Sequence, residues 1–136
     1  MLLCGQSAHL FEGSIQDNFT EYGTYRDVPP ISPEQAAAYL KICAAEFPLT
    51  MACATMSGGE RQRVFAAVCL SLQPKVLLLD EPTSALDDGT ANAMMANIKS
   101  FCRENAVSLI AVSHSKPLAE AFADYTVALG GGDGRE

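Results

Sequence analysis

No apolar run in the 136-residue sequence approaches the roughly 18 residues of a membrane span, so none is expected to cross a bilayer. Basic residues are scarce: 9 Lys+Arg stand against 16 Asp+Glu, for a formal net charge of -7. A nucleic-acid backbone is best met by a basic face, so this balance speaks against a nucleic-acid partner. Met1-Leu2-Leu3-Cys4 lacks the basic n-region and apolar h-region of a lipoprotein signal. No glycine is followed by lysine, so the phosphate-cradling loop G-x-x-x-x-G-K-S/T does not occur. No segment repeats internally. Cysteine is present, but Cys4, Cys43, Cys53, Cys69 and Cys102 are odd in number and sit among apolar neighbours. They read as buried thiols of a reduced cytosolic protein, not as a disulfide frame.

What remains is an ordinary globular composition, with 49% apolar and 18% charged residues, at a length that suits one domain. Leu2-Leu3-Cys4-Gly5 reads as the end of a short buried strand entering a loop at Gln6. A chain seldom begins on such a strand without lead-in, so a longer parent is expected. From Ser7 to Pro33 turn formers are frequent, with at most a short helix near Ile15 to Phe19. Ser32-Pro33-Glu34-Gln35 starts a helix as a capping box, with apolar Ala36, Leu40, Cys43, Ala44 and Phe47, ended by Pro48. Ser57-Gly58-Gly59-Glu60 starts another, whose buried stripe is Val64, Phe65, Val68, Cys69 and Leu72 and which ends at Pro74.

Val76-Leu77-Leu78-Leu79 reads as a parallel strand buried on both faces. Asp87 opens a helix with inner residues Ala91, Met94, Met95, Ile98, Phe101 and Cys102, while Lys99 and Arg103 lie near its C-terminus. A buried strand over Val107 to Val112, a short helix over Leu118 to Ala123 and a strand over Tyr125 to Leu129 follow, before a glycine-rich end at Gly130 to Gly134. Alternation of strand and helix in this half predicts an α/β fold with a parallel sheet and right-handed crossovers.

Four features carry chemistry. Asp80 and Glu81 follow the apolar strand at its C-terminal end, where open α/β sheets bind ligands. One carboxylate can hold hydrated Mg²⁺ while its neighbour orients or deprotonates a water, the Walker B pattern with an added glutamate; solvated acids ending a strand are the simpler alternative. At Ser57-Gly58-Gly59-Glu60, bare N–H groups at a positive helix end make an anion site, although a plain capping box needs no ligand. His114, after a strand, can contact a developing phosphate charge, or simply cap or face solvent. Gln6 can hold a metal-bound water, or be a loop residue.

The order of these features resembles the nucleotide-binding domain of ATP-binding-cassette (ABC) transporters. That resemblance makes Gln6 the Q-loop glutamine, Met56-Ser57-Gly58-Gly59-Glu60 the signature motif, Asp80 and Glu81 Walker B, Ser84-Ala85-Leu86-Asp87 the D-loop and His114 the switch histidine. Met56 and Glu60 replace the usual Leu and Gln. The stretch Leu10 to Asn18 looks like the segment after the Q-loop in exporters and related ATPases. The likeness implies a partial P-loop NTPase-type (ABC ATPase) fold, a parallel sheet flanked by helices plus an α-helical subdomain. Its core would comprise residues 1–14 and 73–136, and residues 15–72 would form the helical subdomain.

By the same resemblance, Glu81 and His114 would be catalytic; Gln6, Ser57, Gly58, Gly59, Glu60 and Asp87 would bind nucleotide; and Asp80 and Gln6 would place Mg²⁺. ATP and Mg²⁺ are the implied ligands. A second nucleotide-binding domain and a membrane-spanning permease are the implied partners, reached from the cytoplasmic face. The family's P-loop would lie upstream of Gln6, so this chain alone is expected to bind MgATP weakly and to hydrolyse none. An exposed sheet edge would then invite oligomers. A non-catalytic module that associates with a membrane or ATPase partner is the alternative. Chromosome-organising and DNA-repair ATPases separate these motifs by long coiled coils, whereas Gln6 and Ser57 are joined here by a compact stretch without heptads.

Overall fold

The computed structural model describes residues 2–4, 9–81, 83, 86–113 and 115–124, with the backbone alone for 2–4. Strand β1 (Leu2–Cys4) is followed by helices α1 (Ile15–Tyr25), α2 (Pro33–Ile42) and α3 (Gly58–Ser71), with a 3₁₀ turn at Cys53–Thr55 before α3. Strand β2 (Val76–Asp80), helix α4 (Asp88–Glu104), strand β3 (Ser108–Val112) and helix α5 (Lys116–Phe122) complete the described chain. The three strands form one parallel sheet in the order β1-β2-β3, with Leu3 opposite Leu78 and Asp80 opposite Val112. The α/β class and parallel sheet expected from the alternation of elements are therefore present.

Local capping sets three helix starts. Ser14 with Asp17, Ser32 with Gln35 and Ser57 with Glu60 each form a reciprocal box, which satisfies donors that a helix end cannot satisfy itself. Helix α1 is longer than the short piece expected over Ile15 to Phe19 and runs on to Tyr25. Asp17 and Asn18, which look like turn formers, serve the helix instead. Asn18 is fully buried; its side-chain amide donates to the carbonyls of Phe11 and Ser14 and accepts from the Phe11 N–H at 2.7 Å. Ile15 and Phe19 bury the same face, and that burial carries the helix through Gly23.

Helix α2 ends at Ile42, earlier than the proline stop expected at Pro48. Ala44 takes a left-handed backbone, φ 55°, and the Ala45 N–H closes back onto the Leu40 carbonyl at 2.9 Å. Ala44 and Phe47 thus lie beyond the helix, while Ala36, Leu40 and Cys43 are buried as expected.

One hydrophobic core joins the helices to the sheet. Val64, Val68 and Leu70 of α3, Leu77 and Leu79 of β2, and Met94 and Ile98 of α4 are all essentially fully buried within it. Strand β3 departs from expectation: it begins at Ser108, not Val107, and is not buried, for Ile110 is 50% and Val112 44% exposed. It pairs with β2 on one edge, and its other edge meets no strand among the described residues. Helix α5 begins at Lys116, ahead of the expected Leu118, because Ser115 caps it by accepting from the Leu118 N–H. Lys99 and Arg103 converge on Asp124, at 3.2 and 3.5 Å, in surface ion pairs that contribute little to stability.

Cys43, Cys53, Cys69 and Cys102 are all buried and form no disulfide, as read from their neighbours. Burial pushes the Cys102 thiol up to about 11. Among the described residues, no helix is long and apolar enough to cross a membrane. The expected strand over Tyr125 to Leu129, the glycine-rich end and the Cys4 side chain lie outside the described residues.

Candidate functional site

Ser57 stands at the N-cap of α3 with extended backbone, φ -68° and ψ 168°. Its hydroxyl accepts from the Glu60 N–H at 3.2 Å, and the Glu60 carboxylate accepts from the Ser57 N–H at 2.8 Å. Glu60 is thereby committed to the cap. The N–H groups of Gly58 and Gly59, in the first turn, have no acceptor inside the helix, which leaves them directed along its positive end. A Cβ built on Gly58 would meet nothing within 4 Å, and its backbone is not left-handed. The fold of this chain therefore has no need of glycine at that position.

Asp80 and Glu81 leave the C-terminal end of β2, both half-buried. Glu81 adopts a left-handed backbone, φ 51°, which for a non-glycine residue costs roughly 1–3 kcal/mol and persists only where the surroundings hold it. Its backbone is held at both polar groups: the N–H donates to the Val112 carbonyl at 2.8 Å, and the carbonyl accepts from the Gln62 side-chain amide at 2.9 Å. Gln62 is 4% exposed, on the second turn of α3. It links α3 to the carboxylate-bearing turn. Reading the motifs assigned it no role, because it stands among the charged Glu60, Arg61 and Arg63 and nothing local marks it as buried.

Arg61 donates from its guanidinium to the Cys53 carbonyl at 2.8 Å and so ties the 3₁₀ turn to the start of α3. Asp87 caps α4, accepting at one carboxylate oxygen from the Thr90 N–H (3.2 Å) and at the other from the Thr90 hydroxyl (2.6 Å). The Thr90 hydroxyl foremost, with the backbone N–H groups, holds the Asp87 carboxyl below its usual range. A lowered folded value means the cap contributes above the ordinary carboxylate range and is lost as pH falls through the lowered one. Circular dichroism of wild type and Asp87→Asn, compared from neutral pH to below about 4, should show extra helix loss in the wild type alone. Identical acid profiles would remove the assignment.

Gln6, His114 and the D-loop residues Ser84 and Ala85 lie outside the described residues. The described part brings together the end of α3, through Gln62, with Asp80-Glu81 at the end of β2. Among the described residues no group of three or more His, Cys, Asp or Glu side chains is placed to hold a metal. Asp80 alone suits Mg²⁺ nonetheless, since that ion takes one or two carboxylates and completes its shell with phosphate oxygens and water.

The sequence profile of the family described as ABC transporter matches residues 1–84. The phosphonates import ATP-binding protein PhnC of Wolinella succinogenes is 38% identical over 109 residues, 80% of this chain and 40% of that protein. The lipoprotein-releasing system ATP-binding protein LolD 2 of Caulobacter vibrioides is 45% identical over 76 residues, 56% of this chain and 33% of that protein. Among solved structures, a dimeric ATP-binding cassette in a post-hydrolysis state bound to ADP and Pi superimposes with TM-score 0.75 and 26% identity, over 86% of this chain and 53% of that one. A bacterial Atm1-family ABC exporter with ATP bound gives TM-score 0.73 and 26% identity, over 87% of this chain and 22% of that one. The chain thus spans about 40% of the length of PhnC. With its sequence profile, its fold and the order of its motifs in agreement, the chain belongs to the ABC transporter family.

Proposed function

We propose that the chain is the signature and Walker B portion of the nucleotide-binding domain of an ABC transporter, acting in ATP hydrolysis once a P-loop is supplied. The observation that carries this reading is the pairing of an open, glycine-led helix end at Ser57-Gly58-Gly59 with Asp80-Glu81 at the end of a buried parallel strand. A capping box alone needs only Ser57 and Glu60; the unrequired glycine leaves room for a ligand to approach the helix end. In this reading residues 15–72 form the helical subdomain, and residues 1–14 with 73–136 belong to the core.

Two such domains would close head to tail. Ser57, Gly58 and Gly59 of one copy would cover the γ-phosphate held by the other, with Glu60 and Asp87 at the same interface. Glu81 would polarise the attacking water, and His114 would contact the γ-phosphate. Asp80, with Gln6, would hold Mg²⁺. When bound there, that ion would supply charge neutralisation for the phosphates. A membrane-spanning permease would receive the closure, which places the domain at the cytoplasmic face of a membrane. The chain by itself, lacking Gly-Lys, would act as a non-catalytic half that associates with such partners.

The test is phosphate release by this chain joined behind a segment carrying a G-x-x-x-x-G-K-S/T strand and loop. Hydrolysis should depend on Mg²⁺ and fall about a hundredfold or more with Glu81→Gln, a loss on the scale of removing a general base. Hydrolysis indifferent to Glu81→Gln would overturn the assignment.

A further inference from the structure

Glu81 stands in a conformation that its own sequence opposes. Its φ of 51° lies in the left-handed region, unusual for any side chain with a Cβ. The next residue is Pro82, and a residue before proline is driven toward extended backbone. Two local preferences therefore push Glu81 away from the state it adopts, so distant elements must supply the restraint. Among the described residues they include the Val112 carbonyl at the end of β3, which receives the Glu81 N–H at 2.8 Å, and the Gln62 side chain on α3, which donates to the Glu81 carbonyl at 2.9 Å. The first belongs to a sheet edge with exposed side chains; the second is almost wholly buried, where a hydrogen bond has little competition from water.

We infer that Gln62 is a positioning residue: it clamps the Glu81 backbone in the left-handed turn and so sets the direction of the Glu81 carboxylate. The inference rests on the reading of Glu81 as the group that polarises water, and it adds a route of coupling. Gln62 sits one turn beyond Ser57-Gly58-Gly59 on the same helix, and residues of one helix move together. A ligand or second domain seated on the end of α3 would shift Gln62 with it, and Gln62 would carry that shift to the Glu81 carbonyl. Closure at the helix end and alignment of the carboxylate are then one event. The bond spans 19 residues of sequence, so it connects two motifs that are separate along the chain.

The experiment uses this chain without nucleotide and compares wild type with Gln62→Met, which keeps length and volume but removes the donor. Amide hydrogen exchange should accelerate about tenfold or more at Glu81, while Leu79 and the melting transition change little. The Glu81 carboxyl ¹³C shift at neutral pH should move with it, a signature that a loss of packing alone would not produce. Unchanged exchange and an unmoved carboxyl ¹³C shift at Glu81 would overturn the proposal. Should Gln62→Met fail to fold, the wild-type Gln62 side-chain NH₂ decides: about tenfold slower exchange than a free glutamine supports the clamp, and free-glutamine exchange overturns it. None of these readouts involves ATP. A clamped Glu81 whose substitution leaves hydrolysis untouched in the P-loop-joined protein would refute the proposed function and spare this inference, and the reverse pattern would do the opposite.

Discussion

Titrating MgATP into the chain carrying Glu81→Gln is expected to give no saturable heat up to millimolar nucleotide. The substitution prevents turnover from consuming the ligand and removes one of two adjacent negative charges, so it favours binding if binding is possible. Even so, Asp80 remains at the end of β2, and the chain carries a formal net charge of -7 before substitution. A triphosphate needs cationic and N–H groups around its β- and γ-oxygens, which a P-loop supplies with backbone amides and a lysine. No Gly-Lys pair exists to do so here. The Ser57-Gly58-Gly59 helix end is too small a substitute, since a helix dipole contributes about 0.3–1 kcal/mol at an exposed site. Micromolar binding would require about 8 kcal/mol from the site. Saturable micromolar heat would therefore refute the half-site reading, and single substitutions of Gln6, Ser57 and His114 would then locate the nucleotide.

Leu79→Ala should destabilise the chain by about 2–5 kcal/mol, whereas Ile110→Ala should change stability by no more than about 0.5 kcal/mol. Both are apolar residues of neighbouring parallel strands. Leu79 is 0% exposed, in the core between the sheet and the helices, and its truncation leaves a cavity that close-packed neighbours cannot fill. Ile110 is 50% exposed on β3. Whole domains are stable by only about 5–15 kcal/mol, so the first substitution removes a large share of the total. Urea titration followed by circular dichroism reads both. Equal losses would mean that the face bearing Ile110 is covered in solution, by another copy or by sheet beyond the described strands, and sedimentation across micromolar concentrations would separate those two cases.

Much of the site was legible because the relevant physics is local. Ser57 and Glu60 are three residues apart, the spacing at which a hydroxyl and a carboxylate exchange bonds with each other's N–H groups, so the pair announces a helix start before any tertiary contact exists. Val76 to Leu79 announces a buried strand by apolar run alone, and the register with β1 and β3 agrees. Local chemistry misled where burial decided. Asn18 looks like a turn residue but is satisfied inside the fold by Phe11 and Ser14, so α1 continues past it. Val107 to Val112 has the composition of an interior strand, yet its exposure depends on which elements cover it, and composition carries no information about that.

The sequence by itself determined the capped helix starts, the parallel α/β class, the order of the motifs and hence the family, because each follows from spacings of a few residues or from their succession along the chain. Only the tertiary structure decided that α2 stops at Ile42, that β3 presents Ile110 and Val112 to solvent, and that Gln62 grips the carbonyl of Glu81. The reason is distance along the chain: a hydrogen bond between residues 19 positions apart forms only after helix and sheet have packed, and no local preference encodes it. At Glu81 local preference argues for the opposite backbone, and the packed fold overrules it.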